Sequence, residues 1–276
     1  MKKIILSGGF LLVLSLNAAG QTDTLYSNNQ KISCTVKEVT ESAVKYSYPN
    51  EDLVNTVYKN SIQRIVFKNG REQIFTEASS YKTVNGVSDF DKVTVTAVES
   101  EIKGLFKIGD VSSKSVGTTA LSNQERVKNR AYRKIKIQAA MMGANIVYLT
   151  NQRTEGNKGG TEYTAASAAE TNLTGISYSN VVPALADFKK LLNGRTDFAA
   201  YEEYRLAGSS SDYSYKELMK NFFIGSVHDD NGIITIDGEL EGLNKVNQYR
   251  LVGVSKDHFS IFYRDKSTVY NISVKF

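Results

Sequence analysis

SNQERVKNRAYRKIKIQAAMMGANIVYL, residues 122–149, decides how the chain is read. Ser122 and Glu125 have the spacing of a capping box, in which the Ser oxygen takes the third helical amide and the Glu reaches back to the cap amide. From Arg126 to Met142 the residues Val127, Ala131, Ile135, Ala139 and Met142 recur every three or four positions, which predicts a long helix with one buried stripe. Gly143 stops it, because glycine takes the left-handed conformation that closes a final turn. Ala144 to Leu149 then predicts an inner strand. Arg126, Lys128, Arg130, Arg133, Lys134 and Lys136 put six positive charges into eleven residues with no acid among them. Most of them fall opposite the apolar stripe, so the helix presents a basic face.

Around this helix, residues 84–180 form one expected α+β domain. Asp91 to Glu99 alternates with Val93, Val95 and Ala97 on one side, as a strand does. Gly104 to Gly117 is a glycine-punctuated stretch, residues 151–162 are expected as a polar loop, and Thr171 to Tyr178 as the closing strand. The runs Ala139 to Val147 (AAMMGANIV) and Leu173 to Tyr178 (LTGISY) resemble the helix-to-strand joint and closing strand of the fold shared by the putative heavy-metal-binding family and the stress-sensor lipoprotein of the Rcs system. The resemblance covers about 90 residues and implies a helix packed on a curved sheet. This chain lacks the lipid-bearing and disulfide-forming cysteines of the stress sensor, and no His lies in the segment to act as a metal ligand.

Residues 21–80 read as a second unit of short strands with period two. Ile32, Cys34 and Val36 alternate, then Val44, Tyr46 and Tyr48, and Asn69-Gly70 between two short runs is a hairpin turn. Five strands in under fifty residues predict a small antiparallel barrel, and the pattern resembles the SH3-like or Sm-like barrels at the start of many exported bacteroidete proteins. These residues carry 7 basic and 7 acidic side chains. With no net charge to collect phosphates, nucleic acid is not expected as a partner.

Residues 183–276 read as an antiparallel β domain with one or two short helices, Ala184 to Leu192 and Tyr215 to Phe223. The strands are expected at Gly232 to Asp237, Gln248 to Val254, Phe259 to Arg264 and Thr268 to Phe276, in a meander with short turns. The fold class is therefore α+β in three parts: a small antiparallel β-barrel, a helix-on-sheet unit and a β-meander with helices.

At the N-terminus, Met1-Lys2-Lys3 precedes an apolar run from Ile4 to Leu16, too short to cross a bilayer as a helix, and small residues follow at Ala18 and Gly20. Residues 1–20 are read as a secretory signal cleaved after Gly20, which puts the mature chain in the periplasm or outside the cell. No later run is long and apolar enough to be a transmembrane helix. The single cysteine excludes a disulfide scaffold, and with two His it leaves no thiolate or imidazole cage for a metal.

The search for chemistry finds no catalytic, cofactor or metal set. His228-Asp229-Asp230-Asn231-Gly232 fails the spacing of a calcium loop and reads as a turn. His258 stands beside Asp257 at a strand start, and no Gly-x-Ser-x-Gly elbow or phosphate loop is present. The tyrosines Tyr201, Tyr204, Tyr213 and Tyr215 cluster in sequence and are either a binding surface or the rim of a core. The expectation is an exported, non-catalytic cell-envelope protein with a binding or structural role. Arg126, Arg130, Arg133 and Lys134 would contact an anionic lipid surface, a polysaccharide or an acidic envelope protein, so reversing Arg130, Arg133 and Lys134 to Glu should leave folding intact. The alternative is a hydrolase of cell-wall or dietary polysaccharide using Glu202, Glu203, Asp229 or Asp230, with two carboxylates facing across a cleft.

Overall fold

The computed structural model describes residues 22–27, 30–75, 81–119, 121–156, 162 and 166–276; residues 1–20, expected from the sequence to be a signal, lie outside them. Strand outweighs helix, 53% to 16%, and the chain is a β-rich α+β protein built mostly of antiparallel sheet.

The first sheet contains β1 (Asp23–Ser27), β2 (Gln30–Val39), β3 (Ala43–Ser47), β4 (Asn55–Tyr58), β5 (Ile62–Val66) and β6 (Glu72–Ile74), in the order β4-β3-β2-β1-β5-β6; instead of the small five-strand barrel expected here it is a six-strand sheet with β4 and β6 at its edges, because among the described residues no ladder joins the two. A single 3-10 turn, Lys59–Ser61, carries the chain from β4 into β5. The alternating residues Leu25, Cys34, Val44, Tyr46, Ile62 and Ile65 meet in a small core. Cys34 is fully buried there, as its period-two setting predicts. Asp23 is buried too, and its carboxylate accepts the backbone N–H groups of Val36 and Lys68, each at 2.8 Å.

The second sheet orders β7 (Thr94–Thr96), β9 (Ile146–Glu155), β10 (Glu170–Ser179) and β8 (Phe106–Val116) as β7-β9-β10-β8. Helix α1 (Gln124–Met141) runs between β8 and β9, two strands that lie parallel on either side of β10. Three local expectations change here. The N-cap is Asn123 rather than Ser122: its side chain accepts the Arg126 N–H at 2.9 Å. The glycine-punctuated stretch Gly104 to Gly117, given no element from the sequence, holds the eleven-residue β8, and β9 runs on to Glu155 through residues expected as loop. The strand expected at Asp91 to Glu99 is reduced to β7, with 3-10 turns at Val87–Lys92 and Glu99–Ile102. Side chains too short and polar to announce a strand explain β8. Ser113 and Ser115 alternate inward under the helix, and the Ser113 hydroxyl donates to the carbonyl of Ala131.

Helix α1 ends as expected. Gly143 has φ +75°, its N–H donates to Ala140 O and the Ala144 N–H to Ala139 O, both at 3.0 Å, the paired bonds of a Schellman closure. Burial is wider than one stripe: Lys134, Ile137, Gln138, Ala140 and Met141 are buried along with the predicted residues.

The last part of the chain is a closed barrel of six antiparallel strands, β11 (Asp197–Leu206), β12 (Ser214–Asp230), β13 (Ile233–Leu240), β14 (Gln248–Val254), β15 (His258–Asp265) and β16 (Thr268–Lys275), with β11 pairing β16 to complete the ring. Tyr215 to Phe223 is therefore strand, not helix. Leu218 and Phe222, spaced as on a helix, also share the inward face of β12 with Ile224, while Met219 and Phe223 point out. Lys220 falls between the inward residues and hides the period of two. Neighbours on both sides supply the backbone partners that decide for strand. Helix α2 (Leu185–Leu192) packs Phe188 and Leu192 into one end of the barrel, Phe188 lying 5.2 Å from the ring of Phe259. The barrel interior is apolar, the inverse of a lipid-facing barrel, whose apolar band lies outside.

The barrel and the helix-on-sheet unit share one core. Two cross-strand rows on the barrel's outer face, Tyr204–Asn271–Phe262 and Leu206–Val269–Arg264, run under α1, and Leu206, Phe262 and Val269 belong to the same cluster as Ile135 and Met141.

Candidate functional site

The basic residues of α1 mostly do not form a free face. Arg130 donates to the carbonyl of Val116 at 2.8 Å, and its Nε is buried without a partner. Arg133 meets Asp212 at 2.9 Å and lies over the ring of Phe90, 4.4 Å from its centre. Lys136 donates to the carbonyl of Asp91. Arg126 points outward, and Lys128 reaches Glu125 at 3.8 Å. The basic run thus ties the helix to its surroundings, with carbonyl oxygens taking the place of acidic side chains in the sequence nearby.

Lys134 differs from all of them. Its side chain is buried, only 7% exposed, and its ammonium donates to the carbonyl of Gly208, with no carboxylate of the described residues bonded to it. Burial alone pushes its pKa below the ordinary lysine value. It forms one wall of a cleft of about 360 Å³ between α1, the sheet and the rim of the barrel. The sheet contributes Lys114, and the β15–β16 hairpin contributes Arg264 and Lys266. Lys266 sits at φ +53°, in the tight turn that joins the two strands. Among the described residues no Asp or Glu lines the cleft. Lys114 is neutralised from outside it by Glu170 at 2.8 Å, and Asp265 alternates away from Arg264 on β15. Gln138 also lines the cleft; its side-chain oxygen is occupied by the Ser112 N–H at 3.1 Å, which leaves an NH2 donor. Leu173, Leu206 and Val269 supply apolar wall. The cleft is open to solvent on one side and combines a partly apolar wall with several hydrogen-bond donors, two elements of a small-molecule site.

The tyrosines divide. Tyr204 and Tyr213 pack against the shared core, with ring centres 5.5 Å apart, and Tyr213 continues to Phe90 at 6.2 Å. They are the rim of a core. Tyr215 is half exposed and Tyr201 lies beneath the Lys275 ammonium, 5.5 Å from it. None of the four lines the cleft.

The carboxylates of the hydrolase reading are not brought to a cleft. Asp229 accepts the Gly232 N–H and Asp230 the Asn231 side chain, both in the β12–β13 turn, whereas Glu202 sits at the β11 bulge near the hydroxyl of Tyr215. Neither these nor Glu203 lines a described cavity. One cluster has the composition of a hydrolytic triad: Ser226, His228 and Asp237 stand within 2.6–2.7 Å of one another. Its geometry is wrong for that work, since Asp237 bonds both the serine hydroxyl and Nε2, and a triad needs the acid on the nitrogen away from the nucleophile. Ser226 foremost, then His228 and Gln248, holds the Asp237 carboxyl below its usual range. Ser255, His258 and Asp257 repeat the arrangement around Nδ1. Among the described residues no group of three His, Cys, Asp or Glu could hold a metal ion.

Of the expected contact residues only Lys134 reaches the cleft. Arg264, Lys266, Lys114 and Gln138 were not expected there. Arg264 and Lys266 flank Asp265 in what reads as an ordinary charged turn, and only the register between β16 and β11 brings that turn over α1. No protein-family model matches the chain, and neither a curated protein nor a solved structure is significantly similar to it.

Proposed function

We propose that this chain is an exported, non-catalytic binding protein of the cell envelope, and that its ligand is anionic and enters the cleft between α1, the second sheet and the barrel rim. The observation that carries the reading is Lys134: a buried ammonium with no carboxylate of the described residues bonded to it, facing a cleft whose other charged groups are also cationic. A buried charge without a counter-charge is costly, and an anion bound in the cleft would offset that cost. Export rests on the basic start, apolar run and small residues of positions 1–20.

Two features support the family resemblances without going further. The order β4-β3-β2-β1-β5, with a 3-10 turn entering β5, supports the SH3-like or Sm-like reading of the N-terminal unit. A helix crossing from β8 to β9 with β10 between them, and the Gly143-Ala144-Asn145 joint, supports the likeness to the heavy-metal-binding and stress-sensor fold.

The test is equilibrium binding of sulfate, phosphate, citrate and glucuronate to the mature chain by calorimetry at low ionic strength. Saturable binding of at least one anion, weakened tenfold or more by Lys134→Gln and unchanged by Arg126→Gln, is expected. Failure of every anion to bind overturns the reading.

A further inference from the structure

Resting on the anion-binding reading, we infer that the cleft takes a small phosphorylated molecule, its phosphate set among Lys134, Arg264 and Lys266 and its carbon body against Leu173, Leu206 and Val269. The argument is one of charge matching. Glu170 neutralises Lys114 from outside the cleft, and Asp212 neutralises Arg133, the residue just before Lys134 on α1. Among the described residues Lys134, Arg264 and Lys266 form no ion pair within 4.0 Å and no acid lines the walls, so the cleft is bordered by three cations without a counter-charge. A carboxylate or a sulfate ester brings one negative charge and would leave two cations crowded together. A phosphate monoester brings about 1.5 to 2 negative charges at neutral pH, with three acceptor oxygens, and a diphosphate brings more.

Donor geometry points the same way. Arg264 offers a planar fork suited to two oxygens of one phosphate, while lysine acts as a point charge. Gln138 turns an NH2 rather than its oxygen to the cleft, and Ser267 adds a hydroxyl. A cleft of about 360 Å³ fits a compact molecule. The apolar residues Leu206 and Val269 face each other across the β11–β16 ladder and, with Leu173 from the sheet, form a wall that a phosphate alone would leave uncovered.

The experiment compares one body with three anionic groups: phenyl phosphate, phenyl sulfate and benzoate, titrated calorimetrically into the mature chain at pH 7.5, with inorganic pyrophosphate as a body-free probe. Phenyl phosphate is expected to bind at least tenfold more tightly than phenyl sulfate or benzoate, and to lose at least tenfold in both Lys134→Gln and Arg264→Gln. Arg264 is on the hairpin surface, so its variant keeps the test valid if Lys134→Gln fails to fold. Equal binding of the three phenyl anions, or an Arg264→Gln variant that binds phenyl phosphate as the parent does, overturns the phosphate assignment while leaving an anion cleft. Absence of binding by all four probes overturns this assignment, and if sulfate, phosphate, citrate and glucuronate fail as well, the anion-binding reading goes with it.

Discussion

The side-chain amide of Asn271, in the barrel, donates to the backbone carbonyl of Met141, the last residue of α1, at 2.9 Å across 130 residues of sequence. That carbonyl is one of the four that a helix leaves without an internal partner, and both residues are buried. Removing the donor strands a buried acceptor, which costs about 1–3 kcal/mol. Asn271→Ala is therefore expected to lower stability by that amount in a denaturant titration, and to loosen α1 against the barrel as seen by faster amide exchange near Met141. A stability within experimental error of the parent would contradict it.

Gly143 and Gly194 share a left-handed φ, +75° and +73°, but not their surroundings. A Cβ on Gly143 would lie 2.3 Å from the carbonyl oxygen of Val252, whereas one on Gly194 would meet nothing within 4 Å. Gly194→Ala should cost only the conformational penalty, about 1 kcal/mol. Gly143→Ala must also push barrel and helix apart, and a loss of at least about 3 kcal/mol is expected. Equal losses in paired thermal melts would show that the close approach has no energetic weight.

Charge reversal on α1 should not be uniform. Arg126→Glu is expected within about 0.5 kcal/mol of the parent, as for surface changes generally. Lys134→Glu would set a buried carboxylate against the Gly208 carbonyl and should lose several kcal/mol, more than any other single reversal on the helix. The sequence-based expectation that reversing Arg130, Arg133 and Lys134 leaves folding intact is replaced by one of severe destabilisation, read by circular dichroism melts of the single and triple variants.

Lys134 also gives a pH dependence with a definite sign. Its pKa is lower in the folded chain than the ordinary value of 10.5. Between the two the unfolded chain binds more protons, so this group makes stability rise with pH until about 10.5. Anion binding needs the charged form and should fall over the same interval. The stability difference between parent and Lys134→Met should therefore shift in the parent's favour as pH rises from 7 to 10. A difference independent of pH would refute it.

Cys34 is expected to be inert in the native state. Burial first, and the nearby Asp23 second, push its thiol up to about 11. At pH 8 a thiol reagent should label the folded chain far more slowly than the chain in denaturant, by at least a hundredfold. Comparable rates would place the thiol outside the core.

What the sequence made legible was local. The helix, its Gly143 closure and the buried setting of Cys34 each depend on residues a few positions apart, and their periods stand out. β8 was missed because its buried face is apolar only at Ile108 and Val111 and continues as Ser113 and Ser115, the first of which is satisfied by the Ala131 carbonyl of the helix. Tyr215 to Phe223 misled because Leu218, Met219, Phe222 and Phe223 fit a helical spacing, and only barrel closure shows that two of them face outward. The cleft was illegible for a different reason. Lys114 and Lys134 come from consecutive elements but Arg264 from a hairpin 130 residues further on, and nothing within any one of them marks the meeting point.

The shared core has a consequence for where the chain can be divided. A break in the linker between β10 and α2 falls at a natural-looking boundary, yet each piece would carry away half of one apolar interior. The piece with α1 would lay bare Ile135 and Met141, and the barrel would lay bare Leu206, Phe262 and Val269. Proteolytic nicking of that linker should leave the halves associated, and expressing either alone should yield an insoluble product. Residues 81–276 are therefore expected to fold as one unit, with the linker residue Val182 itself packed against the common core.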